Sequence, residues 1–417
     1  MSKVQKIKGV ADMYPPESTT FAHLEQTARQ VFSRYGYQEV RLPLMEPTQL
    51  FSRSIGEETD VVQKEMYTFP DRKGRSLTLR PEATAGMMRA YIENGLHSPG
   101  AVHKMFTFGP MFRYERPQKG RMRQFHQLDV EMVGATEPQA DAELVLMLAT
   151  YLRALGMRQL TFEINSLGCR TCRPRHRAAL DAFFAALPGF EELCDDCKRR
   201  AGTNPLRVLD CKTPRCRELT AAAPVIEDHL CPDCSGAYAE VQAILAGAGV
   251  DFVKNPRLVR GLDYYVGLTF EVTSTDIGAQ TAVAGGGRYD GLVRQLGGPD
   301  VPATGFAIGM ERLALLVPPV GQPAADFFVA VLDPAAPSPA LALAQELREA
   351  GLSGETGFAS GSMKSRMRAA DRSGARWCLL LGGQELADGT VTLRDMGSGE
   401  QRTLPRAEAV ALLANRG

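Results

Sequence analysis

Between residues 318 and 325 the chain reads PPVGQPAA, and the hydrophobic pattern changes character across this stretch. Proline and glycine at such density break both helices and strands, so a linker is expected there. Ahead of it, apolar runs mark strands with no regular helix alternation. That pattern predicts a mixed, mostly antiparallel sheet with flanking helices. Behind it, FFVAVL, a helix near 338–350, a second near 363–373, RWCLLLG and TVTLRD alternate strand with helix, as in a small α/β domain. Eight of the nine cysteines fall between 169 and 234 and interrupt the first pattern. The expected class is α+β: a core from 1–168 and 236–320, a helical, cysteine-rich insertion at 169–235, and a C-terminal module at 326–417.

Within the first part, Phe21, Leu24, Ala28, Val31, Phe32 and Tyr35 recur at helical spacing. They predict a helix from Ser18 to Tyr35, capped by Ser18 or Thr19 and stopped at Gly36. YQEVRLPLM reads as a strand interrupted by Pro43, and the missing N–H assigns it to an edge or an interface. MYTF, the turn DRKG and SLTLR predict a hairpin. KMFTF, MFRYE and FHQLDVEMVG are further strands, the last two joined by a long, mobile basic loop. TFEINSLG, LTFEVTS and QTAVAGGG are strands, while YDGLVRQL and the residues from Met310 are helical.

The 48 basic and 48 acidic residues cancel, so global charge argues neither for nor against nucleic acid. Local charge is more telling. RYERPQKGRMR at 113–123 carries Arg113, Arg116, Lys119, Arg121 and Arg123 against Glu115 alone, and 169–217 holds eleven basic and six acidic groups. A polyphosphate partner requires such patches, although a solvated face has the same composition. No run approaches the roughly 20 apolar residues that span a bilayer. The segment MSKVQKIKGVADMYPPES also lacks the apolar centre of a secretory signal, so a cytoplasmic protein without membrane contact is expected. The phosphate loop GxxxxGK[ST] is absent, and AGGGRYDGL lacks both GxGxxG spacing and a βαβ context. SMKSR reads as a helix start.

Three separated arginines stand beside glycine or aromatic residues: Arg113 in FGPMFRYE, Arg260 in LVRGLDYY and Arg312 in GFAIGMERL. Guanidinium forks match phosphate oxygens and keep their charge, so the three suit a nucleoside triphosphate. GYQEVRLPL, FRYERPQKGRMRQFHQLDVEMVG and GFAIGMERL resemble motifs 1, 2 and 3 of class II aminoacyl-tRNA synthetases. RGLDYY and AGGGRYDGL resemble signatures particular to the histidyl-tRNA synthetase family. The segments occur in the family's order, and the resemblance covers essentially the whole chain.

The resemblance implies a ligase that activates L-histidine with ATP and transfers it to the 3′ end of tRNA(His), releasing AMP and pyrophosphate. It implies that Arg113 holds the ATP α-phosphate and the histidine carboxylate together. Arg312 would clamp the γ-phosphate and Arg260 would add a cation near the α-phosphate, with Mg2+ carried mainly by the phosphates. Glu82, Thr84 and Gln127 would grip the α-ammonium group. Glu131 and Tyr264 would contact the imidazole, with Tyr265 lining the same pocket. The loop carrying Arg116, Gln118, Lys119, Arg121 and Arg123 would meet the acceptor end of the tRNA. A homodimer through helix 18–35 and the Pro43 strand is implied, as is anticodon binding by 326–417. The near-neutral charge of that module, ten basic and eleven acidic residues, adds no support of its own.

Plainer readings stand beside these: a strand-face salt bridge for Glu131, core packing for the tyrosines, and a helix N-terminal acid for Glu82. A catalytically silent relative, the regulatory subunit of ATP phosphoribosyltransferase, shares the core fold but typically lacks the terminal domain and the signature residues. A zinc-ribbon nucleic-acid-binding protein would explain the cysteines alone.

Those cysteines come as Cys169/Cys172, Cys194/Cys197, Cys211/Cys216 and Cys231/Cys234, three of the pairs spaced CxxC. The spacing allows two four-cysteine zinc sites, one site with spare thiols, or reduced or partly oxidised thiols without metal. The family resemblance itself implies no metal. Cys378 reads as a plain buried residue.

Overall fold

The computed structural model describes residues 3–56, 59, 61–98, 100–118, 120–261, 264–277, 282–321, 324–357 and 362–415. They divide into two units, Met1–Val320 and Gly321–Gly417. No helix among the described residues is long and apolar enough to cross a membrane.

The amphipathic segment forms helix α1 (Glu17–Arg34), which buries Phe21, Leu24, Ala28, Val31 and Phe32 along one face. Its cap differs from expectation. Pro16 takes the N-cap position with no side-chain cap, so Ser18 and Thr19 lie inside the first turn. The restricted φ of proline is already compatible with a helix start, which moves the boundary forward.

The large sheet of the first unit has eight strands: β1 (Gln38–Glu39), β2 (His103–Phe112), β3 (Gln124–Val133), β4 (Thr161–Ser166), β5 (Phe252–Lys254), β6 (Val266–Thr273), β7 (Ala282–Arg288) and β8 (Ala303–Gly309). Their order is β1-β2-β3-β8-β7-β6-β4-β5. The outermost pairs, β1/β2 and β4/β5, are parallel, and the pairs between them are antiparallel. Pro43 splits its segment rather than bending it. Gln38–Glu39 becomes the edge strand β1, while Met45–Pro47 joins the hairpin Tyr67–Pro70/Ser76–Leu79 in a separate three-stranded sheet.

KMFTF and MFRYE are not two strands. The ladder with β3 runs without a break through Gly109 and Pro110 to Phe112, and Arg113–Glu115 lie beyond it. Proline is tolerated there because β1 pairs only with Met105 and Phe106, which leaves that flank of β2 open. YDGLVRQL contracts to Leu292–Gln295, with Gly297 and Gly298 just beyond.

Helices α2 (Thr84–Glu93) and α3 (Pro138–Ala154) follow the first strands. Apolar residues of α1 and α3 share one core cluster with Leu128, Val130 and Met132 of β3. The cysteine-bearing segment is helical: α4 (Cys172–Ala185), α5 (Asp195–Thr203), α6 (Leu206–Leu209), α7 (Pro214–Leu219) and α8 (Pro232–Gly247). Helix α9 (Met310–Ala314) follows β8 directly.

The second unit is a five-stranded sheet of β9 (Phe327–Val331), β10 (Gly354–Gly357), β11 (Trp377–Leu381), β12 (Thr390–Asp395) and β13 (Gln401–Pro405), in the order β10-β9-β11-β12-β13. Helices α10 (Pro337–Glu349) and α11 (Met363–Ser373) match the expected positions, and the Ser362 hydroxyl caps α11 by accepting from the Ser365 amide at 3.4 Å. Strands β10 and β13 escaped the sequence reading. GETG is half glycine, and QRTLP shows no buried face on the outer edge. Cys378 is fully buried in β11.

Candidate active site

Alternation along β3 builds the centre of the site. Gln127, Asp129 and Glu131 stand at i, i+2 and i+4 and line a cavity of about 690 Å3, while Leu128, Val130 and Met132 enter the core on the opposite face. Opposite the three polar residues, β8 presents only small side chains: Gly309 pairs with Gln127, Ala307 with Asp129 and Gly305 with Glu131. β7 places Gly285 next to Ala307. Glycine and alanine thus make a low floor over which other side chains can lie. A Cβ on Gly305 would collide with the Glu131 carboxylate, and one on Gly285 with the Arg260 guanidinium.

Acidic and phenolic groups crowd one part of the cavity. Thr84, the first residue of α2, donates to Glu131 Oε1 at 2.6 Å, and the Tyr289 hydroxyl donates to Oε2. Tyr264, Tyr265 and Tyr289 pack together, with ring centroids 4.7 Å apart for the first two and 5.4 and 6.1 Å from them to Tyr289. Glu82 accepts the Ala85 amide at 3.1 Å in the first turn of α2. Burial raises Glu131 well above the usual carboxylate range; the Thr84 hydrogen bond opposes this, and the Asp129 and Glu82 carboxylates add to it. Burial also raises Glu82. Asp129 is pushed up to about 8, first by burial and then by Glu82, against the pull of Arg80 and Arg113.

The three arginines singled out in the sequence line the same cavity, together with Arg121, Arg217 and Arg257. Arg113, just past the end of β2, donates Nε to the Pro81 carbonyl at 2.9 Å and lies 5.3 Å from the Phe125 ring centroid. Arg260 donates to Glu271 of β6 at 2.6 Å and lies 5.8 Å from the Tyr265 ring. Arg312, on α9, donates to the Gly120 carbonyl at 3.1 Å and the Ala282 carbonyl at 2.8 Å. Burial lowers the Arg312 pKa, and repulsion from Arg121 and Arg113 lowers it further. Cations that repel one another in a partly dry cleft favour a polyanionic ligand. Helix α9 is fixed by Glu311, which accepts the His126 amide at 2.8 Å and meets the His126 ring at 3.0 Å.

All nine residues expected at the histidine and ATP subsites line this one cavity: Glu82, Thr84, Arg113, Gln127, Glu131, Arg260, Tyr264, Tyr265 and Arg312. The loop residues are more dispersed. Arg121 lines the cavity and pairs with Glu115. Arg123 lies 4.1 Å from the Tyr114 ring and donates to the Glu115 and Lys8 carbonyls. Arg116 and Gln118 are exposed, and Lys119 lies outside the described residues. The cysteines converge in two groups, Cys169/Cys172/Cys231/Cys234 and Cys194/Cys197/Cys211/Cys216, and Cys211 also lines the cavity.

Asp129, Glu271 and Tyr289 were missed in the sequence. Alternation alone could have found Asp129, between Gln127 and Glu131. Tyr289 stands two residues after the glycine run in AGGGRYDGL, whereas Glu271 is legible only through its contact with Arg260.

A mostly antiparallel sheet, with one arginine beyond the first long strand and another on the helix after the last, defines the catalytic fold of a class II aminoacyl-tRNA synthetase. The family model described as "Histidyl-tRNA synthetase" matches residues 9–313, and that described as "Anticodon binding domain" matches 326–416. The chain belongs to the histidyl-tRNA synthetase family. It is 63% identical over 415 residues to a histidine–tRNA ligase of Nitratidesulfovibrio vulgaris, covering 99% of each chain. It is 63% identical over 404 residues to that of Solidesulfovibrio magneticus, covering 97% of this chain and 96% of the relative. The crystal structure of apo S. aureus histidyl-tRNA synthetase superposes with a TM-score of 0.83 at 33% identity, covering 99% of this chain and all of that one (100%).

Proposed function

We propose that this chain is a cytoplasmic histidine–tRNA ligase that makes histidyl-adenylate from L-histidine and ATP and then charges tRNA(His). The observation carrying this reading is one cavity that joins a buried carboxylate–tyrosine pocket to the guanidinium groups of Arg113, Arg260 and Arg312. In the first step a histidine carboxylate oxygen attacks the α-phosphorus and pyrophosphate leaves. In the second, the terminal ribose hydroxyl of the tRNA attacks the acyl carbon and AMP leaves.

Both reactants of the first step are anions, so Arg113 and Arg260 act by neutralising charge and fixing the approach, while Arg312 takes the terminal phosphate. Glu82, Thr84 and Gln127 receive the α-ammonium group. Glu131, with Tyr264 and Tyr265 beside it, receives the imidazole. A buried carboxylate already engaged by two donors rejects side chains that cannot complete its hydrogen bonds, which is the strongest form of polar selectivity. Mg2+ would be carried mainly by the nucleotide phosphates, where it would add charge neutralisation. Structural Zn2+ belongs to the segment 169–234 and not to the reaction.

The exposed loop residues Arg116 and Gln118, with Lys119, Arg121 and Arg123, meet the acceptor stem, and residues 326–416 read the anticodon. Two copies associate. The apolar face of α1 packs inside its own unit, and Leu44, Met45 and Phe69, beside Pro43, are exposed apolar side chains that a second copy would cover. Sedimentation should give a dimer that Leu44→Asp with Met45→Asp converts to monomer; an unchanged dimer would move the interface elsewhere.

Histidine-dependent exchange of pyrophosphate into ATP tests the chemistry, with Arg260→Ala as control. Exchange with histidine alone among the amino acids, lost in the variant, supports the reading. No exchange from folded, magnesium-supplied protein overturns it in favour of a silent relative of the same fold.

A further inference from the structure

In the first cysteine group, Cys169 Sγ lies 3.6 Å from that of Cys172 and 3.9 Å from that of Cys231; in the second, the Cys194 and Cys211 sulfurs are 4.0 Å apart. Within each group of four, all sulfurs lie within 4.8 Å of one another. A disulfide would need about 2.05 Å, so these are not bonded pairs. Four sulfurs held tetrahedrally about 2.3 Å from one ion stand about 3.8 Å apart, and the observed spacings bracket that value. Each group is sulfur alone among the described residues, a donor set that selects Zn2+ over hard cations. Backbone amides already point at the sulfurs: Thr171 to Cys169 at 3.4 Å, Cys231 to Cys172 at 3.1 Å and Cys194 to Cys216 at 3.3 Å. Such amides stabilise thiolates and fix their direction.

We propose that the segment 169–234 holds two Zn2+ ions, one at the seam where it leaves and rejoins the large sheet and one behind the wall of the catalytic cavity. The first ion takes Cys169, Cys172, Cys231 and Cys234. Cys169 follows β4 by way of Leu167 and Gly168, whose backbone exchanges hydrogen bonds with Gly267 at 2.7 and 3.0 Å. Cys231 and Cys234 open α8. This ion therefore clasps the exit and the return of a 66-residue excursion, counting from 169 through 234. Gly168 serves the same junction: its φ is +61°, and a Cβ there would stand 2.5 Å from Cys172 Cβ. From α4, Arg173 donates to the Tyr265 carbonyl, so the clasp is tied to the tyrosine pocket.

The second ion takes Cys194, Cys197, Cys211 and Cys216, from α5, α7 and the turn between α6 and α7. Asp210, Cys211 and Lys212 all line the cavity. The same region grips the strip on both sides of Arg260. Arg207 donates to the Gly261 carbonyl at 2.6 Å, and Arg257 donates to Thr220 at 2.8 Å through each of two nitrogens. Four protein sulfurs leave no open position for water, so both ions are structural. The metal count stands independently of the ligase reading; the effect on the cavity wall rests on it.

The test is metal analysis of the full chain grown with zinc and purified without chelator. Two zinc ions per chain are expected, with one remaining in Cys169→Ser/Cys231→Ser, one in Cys194→Ser/Cys211→Ser and two in Cys378→Ser. If either double variant fails to fold, Co2+ titration of metal-stripped wild type replaces it, with thiolate-to-cobalt absorption saturating at two equivalents. The second-site variant should raise KM for ATP in pyrophosphate exchange by about tenfold or more. Less than about 0.3 zinc per folded chain, with eight freely titrating thiols in the clustered segment, would overturn the proposal. Loss of both ions in each folded double variant would overturn the two-site pairing. Two zinc ions in a chain without exchange activity would uphold the sites and remove the ligase reading instead.

Discussion

Thr84 donates its hydroxyl to Glu131 over 2.6 Å, tying the start of α2 to the middle of β3 while Tyr289 occupies the other carboxylate oxygen. The carboxylate is therefore oriented before any ligand arrives. In Glu131→Gln the negative charge is lost, and the hydroxyl that faces the amide nitrogen must turn from donor to acceptor. We expect kcat/KM for histidine in pyrophosphate exchange to fall by about 100-fold or more, with the protein still folded by circular dichroism. A change of less than threefold would remove Glu131 from the histidine pocket.

Gly285 makes room for Arg260. In Gly285→Ala the new methyl takes the guanidinium's place and breaks its geometry with Glu271. The exchange rate should fall by about 10²–10³, the scale of losing one charge-stabilising donor, and Arg260→Ala in the same background should cost little more. Additive losses would show that the two positions act separately.

Asp129 carries a pH signature. Its folded pKa is raised to about 8 from an ordinary 3.8, so between those values the folded chain holds a proton that the unfolded chain has lost. Stability from this group is therefore highest in acid and declines as pH rises across the window, by at most about 1.4 kcal/mol per unit. Urea unfolding of ligand-free protein from pH 5 to 8.5 should show this slope, and Asp129→Asn should flatten it. Histidine brings a cation towards Asp129, so its binding at neutral pH should release a proton from that carboxyl, measurable by calorimetry in buffers of different ionisation enthalpy.

Arg116 is exposed on the loop, apart from the paired Arg121. Arg116→Ala should raise KM for tRNA by roughly three- to tenfold and reduce the salt dependence of tRNA binding by about one phosphate contact. Exchange in the absence of tRNA should keep its rate. A loss of exchange equal to the loss of charging would place this side chain in the adenylation step.

The sequence was most informative where one residue type had one physical use. Alternation in QLDVE, the fork chemistry of Arg113, Arg260 and Arg312, and the Pro- and Gly-rich break near 320 could all be read without coordinates. Contacts across strands could not. Nothing in the chain text says that Gly305 leaves space for Glu131, or that Glu271 holds Arg260, because both depend on register between strands far apart in sequence. The fourfold sorting of the cysteines was likewise hidden. The CxxC spacing marks neighbours within a knuckle, while the partner knuckle is chosen by where α4–α8 pack. The start of α1 was misplaced because the proline restraint at Pro16 outweighed two good capping residues.

β3 shows one face to the cavity and the other to the core beneath α1 and α3. Sliding it by a single residue would drive Gln127, Asp129 and Glu131 into hydrocarbon and turn Leu128, Val130 and Met132 towards the ligand. Misreading the amino acid and misassembling the sheet are thus the same error, and the second is penalised first. An alignment that spoiled the cavity lining would first bury three polar side chains in the core, so the stability of the fold enforces the identity of the cavity wall.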